Sequence, residues 1–215
     1  MIITGKGVAW VAGGAVATAY LYLCFLVAAA PQPPGWAVLI GLLPMAALML
    51  LQAWHVRWRW LALAGCAALF VGAFIGWEMV RSHVAWVYLA QHVGAMGALG
   101  LMFGMTLMGR HADAFCSRIA AFITPEPLDA AYLRYTWRVT LAWTVFFLLM
   151  LLSSLLLFFW GPITWWSFLA NLLTPVLTGA MFVAEYLVRI RVLPGRPHMS
   201  VAGTIQAYQR FRQGS

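Results

Sequence analysis

The chain has 215 residues, of which 64% are hydrophobic and only 8% charged, with a mean hydropathy of +0.88 and a formal net charge of +8. A water-soluble domain carries roughly 25% charged residues, so that class is excluded; the Lys and Arg residues are scattered between apolar runs instead of gathered on one soluble face, which excludes a nucleic-acid surface. The composition predicts an all-α, polytopic membrane bundle of about six spans, with anionic lipid headgroups as the counter-charge.

The first apolar run, near 8–30, follows Lys6 and ends in Ala28-Ala29-Ala30, which resembles a signal peptide. It is longer than the apolar region of about 7–15 residues in such a peptide, and Pro31 follows the small residues directly, so it is read as the first span. Pro31-Gln32-Pro33-Pro34-Gly35 cannot continue a helix, because proline lacks the amide donor and clashes with the preceding turn. It forces a hairpin into a second span near 36–53. Arg57 and Arg59 precede a third span near 60–77, and Glu78, Arg81 and His83 crowd the connection to a fourth near 84–108. That polar cluster reads as surface ion pairing or, functionally, as part of a proton relay. Gly72 with Gly76, and Gly100 with Gly104, have the four-residue spacing that lets helices approach closely.

Between 111 and 123 the apolar residues Phe115, Ile119, Phe122 and Ile123 recur at helical spacing, with Asp113 and Arg118 on the polar side, until Pro125 and Pro127 end the pattern. This predicts a short helix lying in the membrane interface. A fifth span near 138–160 turns at Gly161-Pro162 into a sixth near 163–188, whose backbone ladder Pro175 is expected to disrupt. Residues 1–190 form the membrane domain and 191–215 a basic amphipathic tail, with Ser200 as its N-cap and Val201, Ile205, Tyr208 and Phe211 on one face. The tail suits a lipid surface or a cytosolic partner.

Lys and Arg accumulate on the cytoplasmic side of membrane proteins. With both termini inside, all of the 13 Lys and Arg residues except Arg81 fall on that side. Trp10, Trp36, Trp54, Trp58, Trp60, Trp77, Trp86, Trp137, Trp160, Trp165 and Trp166 fall mostly near predicted span ends and read first as headgroup belts.

Ionisable and strongly polar groups inside a bilayer are costly, so the few present are the first places to look for chemistry. Gln91 and His92 in the fourth span and Asn171 in the sixth fall at similar depth and define a candidate binding pocket, or else an interhelical hydrogen bond that fixes packing. Glu185, near the end of the sixth span, is a further candidate binding residue, or a base beside His92; in the simpler reading Arg189, four residues on, is its ion-pair partner, with Arg138 and His55 as competitors. Arg110, Arg118, Arg134, Arg138, Arg189 and Arg191 are the candidate contacts to lipid or to a protein partner. Cys24, Cys66 and Cys116 have no zinc-like spacing and read as free thiols, so no metal is predicted. His83 and His92 stand about 13.5 Å apart along one helix and cannot both ligate one haem iron; no cofactor is predicted. No GxSxG, phosphate loop, HExxH or carboxylate pair suggests a hydrolase or an ATPase.

Several segments carry a resemblance: His83 with Gln91-His92-Val93-Gly94, Phe103-Gly104, Tyr135-Thr136-Trp137-Arg138-Val139-Thr140-Leu141-Ala142-Trp143, Trp166-Ser167-Phe168-Leu169-Ala170-Asn171-Leu172-Leu173-Thr174, and Glu185-Tyr186-Leu187-Val188-Arg189. From His83 onward, over about half its length, the chain resembles an uncharacterised family of small bacterial inner-membrane proteins, often encoded among fatty-acid-synthase-like genes of the kind that make aryl-polyene pigments. The resemblance implies work on acyl or polyene lipids at the cytoplasmic face, with an acidic acyl-carrier protein as a candidate partner of the basic surface. The leading expectation is a non-enzymatic accessory protein that anchors or hands on such an intermediate. A small transporter, and a membrane transferase or redox protein using His92, are the alternatives.

Overall fold

The computed structural model describes residues 5–30, 33–124 and 127–193, with side chains from residue 13 onward. Among them there is no strand. Helix α1 (Gly5–Ala29) ends before the prolines, and α2 (Gly35–His55) starts from Pro34, whose extended backbone turns the chain. Then come α3 (Arg59–Ile75), the short α4 (Trp77–Ser82) and α5 (Val84–Gly104). Two 3-10 turns, Met105–Met108 and His111–Asp113, lead into α6 (Phe115–Ile123). The long α7 (Ala130–Trp160) follows, then α8 (Ile163–Phe168), a π turn (Leu169–Leu173) and α9 (Thr174–Val192).

Among the described residues, four stretches are long and apolar enough to cross a membrane: Gly35–His55, Val84–Met108, Ala130–Trp160 and Ile163–Val192. Arg59–Ile75 is apolar but shorter, and Gly13–Ala29 is the apolar part of α1 whose side chains are described. At 1.5 Å per residue α3 rises only about 25 Å against a hydrocarbon layer of about 30 Å.

Two sequence expectations need correction. Helix α7 begins at Ala130, not near 138, because the Asp129 carboxylate accepts the Tyr132 backbone N–H at 2.8 Å and caps it; Arg134 and Arg138 therefore stand on a helix, not in a loop. As expected, the α-helical ladder of the last span is disrupted next to Pro175: a π turn precedes the proline, and both the backbone N–H and the hydroxyl of Thr174 donate to the Leu169 carbonyl, the latter at 2.8 Å, without ending the span. The second correction concerns glycine. Nothing lies within 4 Å of a Cβ built on Gly72, whereas Gly100 and Gly104 do meet α7, at 3.6 Å from Phe147 and 3.2 Å from Thr144.

The chain forms two compact units, Met1–Gly94 with Leu152–Pro175 and Ala95–Leu151 with Val176–Ser215. The core of the first gathers Cys24 and Val27 of α1, Val38 of α2, Tyr88 of α5 and Trp166 of α8. Trp166, read from the sequence as a belt residue, is fully buried and donates its Nε1–H to Ser154 Oγ at 3.0 Å. Tyr88 is seated in the notch that Gly41 opens in α2. Small and hydroxylated contacts of this kind are what hold helices together where burial against lipid gives no hydrophobic drive.

In the second unit α6 docks through its small polar side. Ser117 Oγ and Thr136 Oγ1 share a hydrogen bond of 2.6 Å, and the Cys116 N–H donates to Thr140 Oγ1 at 3.1 Å. Ile119 and Phe122 remain exposed, Phe122 to 84%, so the helix keeps an apolar outer face. It begins at Phe115, since His111–Asp113 is a separate turn closed by the Asp113 carboxylate on the Arg110 N–H at 2.9 Å. The amphipathic tail with Ser200, Arg210 and Arg212 lies outside the described residues.

Candidate functional site

The second unit carries a groove of about 510 Å³ between α7 and α9. Residues four apart on a helix share a face, and this spacing sets Arg134, Arg138 and Ala142 along one wall, with Tyr135, Val139 and Trp143 beside them. Met181, Glu185, Val188 and Val192 supply the wall from α9. The polar groups cluster at one end, where Tyr135 donates its hydroxyl hydrogen to Glu185 Oε1 at 3.1 Å and Arg189 Nε lies 3.6 Å from the same oxygen. The Glu185 charge is thus matched by the residue that the four-residue spacing predicts. Arg134 and Arg138 are exposed and form no ion pair among the described residues. Towards the other end the lining is apolar, with Trp143 packed 4.7 Å from Phe182 and 5.5 Å from Phe147 between ring centroids. An amphiphile with a long apolar body and an anionic end matches this distribution.

The first unit holds a smaller cavity of about 210 Å³, lined by Gln91, His92 and Asn171 together with Tyr20, Cys24 and Tyr88. The predicted trio does share one pocket. His92 and Asn171 do not bond each other: His92 Nε2 lies 3.1 Å from Thr174 Oγ1, while Asn171 Nδ2 donates to the carbonyl and hydroxyl oxygens of Ser167 at 3.1 and 3.3 Å. Thr174 was missed in the sequence, although its place three residues after Asn171 puts it on the same helix face. Tyr135 was missed in the same way, being one residue from Arg134.

The cluster of Glu78, Arg81 and His83 divides. Glu78 and Arg81 pair at 3.6 Å, and an exposed pair of this kind contributes at most about 1 kcal/mol. His83 Nδ1 instead approaches Ser82 Oγ and the Met79 carbonyl, each at 3.0 Å. Arg110 is taken up by Asp113 at 3.7 Å. Arg118 and Arg191 are exposed, as a contact to lipid or partner requires. Cys116 has its thiol pushed up from the ordinary value, mainly by burial; the Thr140 hydrogen bond opposes this and the Glu185 charge adds to it. No group of three or more His, Cys, Asp or Glu residues stands together among the described residues.

No protein family, no curated protein and no solved structure matches this chain. The groove and the cavity are therefore the ground for a functional reading.

Proposed function

We propose that this is a multi-pass accessory protein of the bacterial inner membrane that holds an acyl or polyene lipid intermediate at the cytoplasmic face for the machinery that builds it. One observation carries the reading: the α7–α9 groove joins an apolar wall of Ala142, Trp143 and Met181 to the exposed guanidinium groups of Arg134 and Arg138, which have no ion pair among the described residues. Its volume of about 510 Å³ falls within the range of about 300–1,000 Å³ typical of small-molecule sites. An acyl chain lies against the apolar wall, and its anionic end meets the planar donor forks of the arginines. Glu185 does not repel that end because Tyr135 and Arg189 hold it.

In this reading the chain crosses the membrane six times with both termini inside, α3 completing its span together with α4. Helix α6 lies on the inner surface, and the exposed Arg118 and Arg191 attract anionic lipid or an acidic acyl-carrier protein. The resemblance noted from His83 onward agrees with this context.

Mass spectrometry of lipids that co-purify with the full chain from native membranes tests the proposal. The wild type retains an anionic acyl species; the double variant Arg134→Gln, Arg138→Gln and the groove-filling Ala142→Trp each lose it while keeping their helical circular dichroism. Equal retention by all three refutes the groove as the site. A transporter is the second reading, favoured by the π turn beside the His92 cavity, since irregular helices often line transport sites. Substrate flux into vesicles holding the purified chain alone distinguishes the two.

A further inference from the structure

In the first unit residues 56–58 turn the chain from α2 into α3. An open pocket of about 570 Å³ lies at this turn, and three indoles and two guanidinium groups line it: Trp54, Trp58, Trp60, Arg57 and Arg59. Both arginines are exposed and each indole is more than half exposed, so the pocket is reached from outside.

Every hydrogen-bonding side chain on that wall is a donor. A guanidinium carries five N–H groups and an indole carries one, and neither offers an acceptor. Among the described residues the ion pairs are taken by Arg81, Arg110 and Arg189, which leaves Arg57 and Arg59 without a carboxylate. What holds Arg59 is aromatic. Its guanidinium carbon lies 5.2 Å from the ring centroid of Trp60 and 5.9 Å from that of Trp54, within the reach of about 6 Å of a cation–π contact. Such a contact orients the guanidinium but gives its N–H groups no acceptor.

We propose that the α2–α3 turn binds the phosphodiester group of an anionic phospholipid. Phosphate oxygens accept hydrogen bonds and carry the charge that matches Arg57 and Arg59. They project in tetrahedral directions and meet two separate guanidinium planes, whereas the coplanar oxygens of a fatty carboxylate match a single fork. A phosphoethanolamine head brings an ammonium donor for which the wall has no acceptor side chain, and a choline head finds the rings of Trp54 and Trp60 already engaged by Arg59. The acyl chains have apolar surface to follow, with Val56 and Leu61 on the wall and Leu50 and Leu51 exposed on α2. Helix α2 is long and apolar enough to cross a membrane, and a crossing helix ends at headgroup depth. The belt reading of these indoles asks only for that depth; the donor-only wall adds a preference for one headgroup class. The site rests on the membrane placement of α2 and not on the α7–α9 groove.

Native mass spectrometry tests it, on the full chain released from mixed micelles holding phosphatidylglycerol, phosphatidylethanolamine, phosphatidylcholine and oleate at equal mole fractions. Wild type and the double variant Arg57→Gln, Arg59→Gln are compared lipid by lipid, so that anything held in the α7–α9 groove is common to both. The wild type is expected to hold one phosphatidylglycerol per chain that the variant lacks, with retention of the other three lipids the same in both. Arg59→Lys keeps the charge but not the planar fork and should weaken that one lipid about two- to fivefold. Soluble glycerophosphoglycerol at the concentration of the lipid should leave it in place. Displacement by this soluble ester would assign a free phosphate and overturn the lipid assignment. Equal losses of all four lipids in the double variant, or no loss, overturn the proposal; so does an Arg59→Lys protein that retains phosphatidylglycerol as well as wild type, which would mean attraction by charge alone. Helical circular dichroism verifies each fold, and Arg59→Lys decides by itself if the double variant fails to fold.

Discussion

Adding one methyl group at Gly41 and, separately, at Gly72 places the packing of this chain under direct test. A Cβ at position 41 lands on the Tyr88 hydroxyl and 2.9 Å from its Cζ. The Tyr88 ring is rigid and 5% exposed, so it cannot swing aside. Overpacking of this sort costs about 1–3 kcal/mol, and the better helix propensity of alanine offsets about 0.5–1 kcal/mol of it, leaving Gly41→Ala about 0–2.5 kcal/mol less stable than wild type. At Gly72 nothing lies within 4 Å of the added atom, so only the propensity acts and Gly72→Ala gains about 0.5–1 kcal/mol. Unfolding by sodium dodecyl sulfate in mixed micelles, followed by circular dichroism, measures both. In the Gly41→Ala background, Tyr88→Phe removes the first atom met and recovers at least about 0.5 kcal/mol, a coupling that distant sites do not show. Equal effects at the two glycines, or a Gly41→Ala protein more stable than wild type, would refute the assignment of the close approach to α2 and α5.

Thr174→Val removes the acceptor of the His92 Nε2–H and should cost about 1–2 kcal/mol in the same detergent titration; no loss would show that the bond does not form. Ser154→Ala leaves the indole N–H of fully buried Trp166 without an acceptor and should cost about 1–3 kcal/mol, read as an earlier unfolding midpoint. Cys116 provides a test by pH. Its thiol is raised, first by burial, so less thiolate is present at a given pH; its alkylation, followed by peptide mass spectrometry, should be slower than that of free cysteine and keep rising to higher pH. Glu185→Gln removes a charge that raises the thiol further and should speed the reaction. A rate profile that coincides with free cysteine would refute the assignment.

Much of the architecture is written as local pattern. The prolines after Ala30 and the Gly161-Pro162 pair mark turns that the helices respect, and the four-residue step from Glu185 to Arg189 gives the ion pair it predicts at 3.6 Å. The start of α7 was readable too, but its signal was the single cap residue Asp129 and not hydropathy, which fades among Arg134, Thr136 and Arg138. The glycine spacings were ambiguous by nature. Gly72 and Gly100 sit in the same motif, and only the position of a neighbouring helix makes one a contact and the other open space.

Composition and periodicity by themselves determined the all-helical class, the apolar spans and the short list of polar residues, because lipid requires every backbone group to be satisfied within its own segment. Which polar residues meet was decided by tertiary structure alone. His92 finds Thr174, Tyr88 finds the notch at Gly41, and Arg134, Tyr135 and Glu185 line one groove although 50 residues separate the last two. A helix displays its side chains around its full circumference, and the rotation that selects one face for the interior comes from packing against other helices. No local stretch of sequence contains that information.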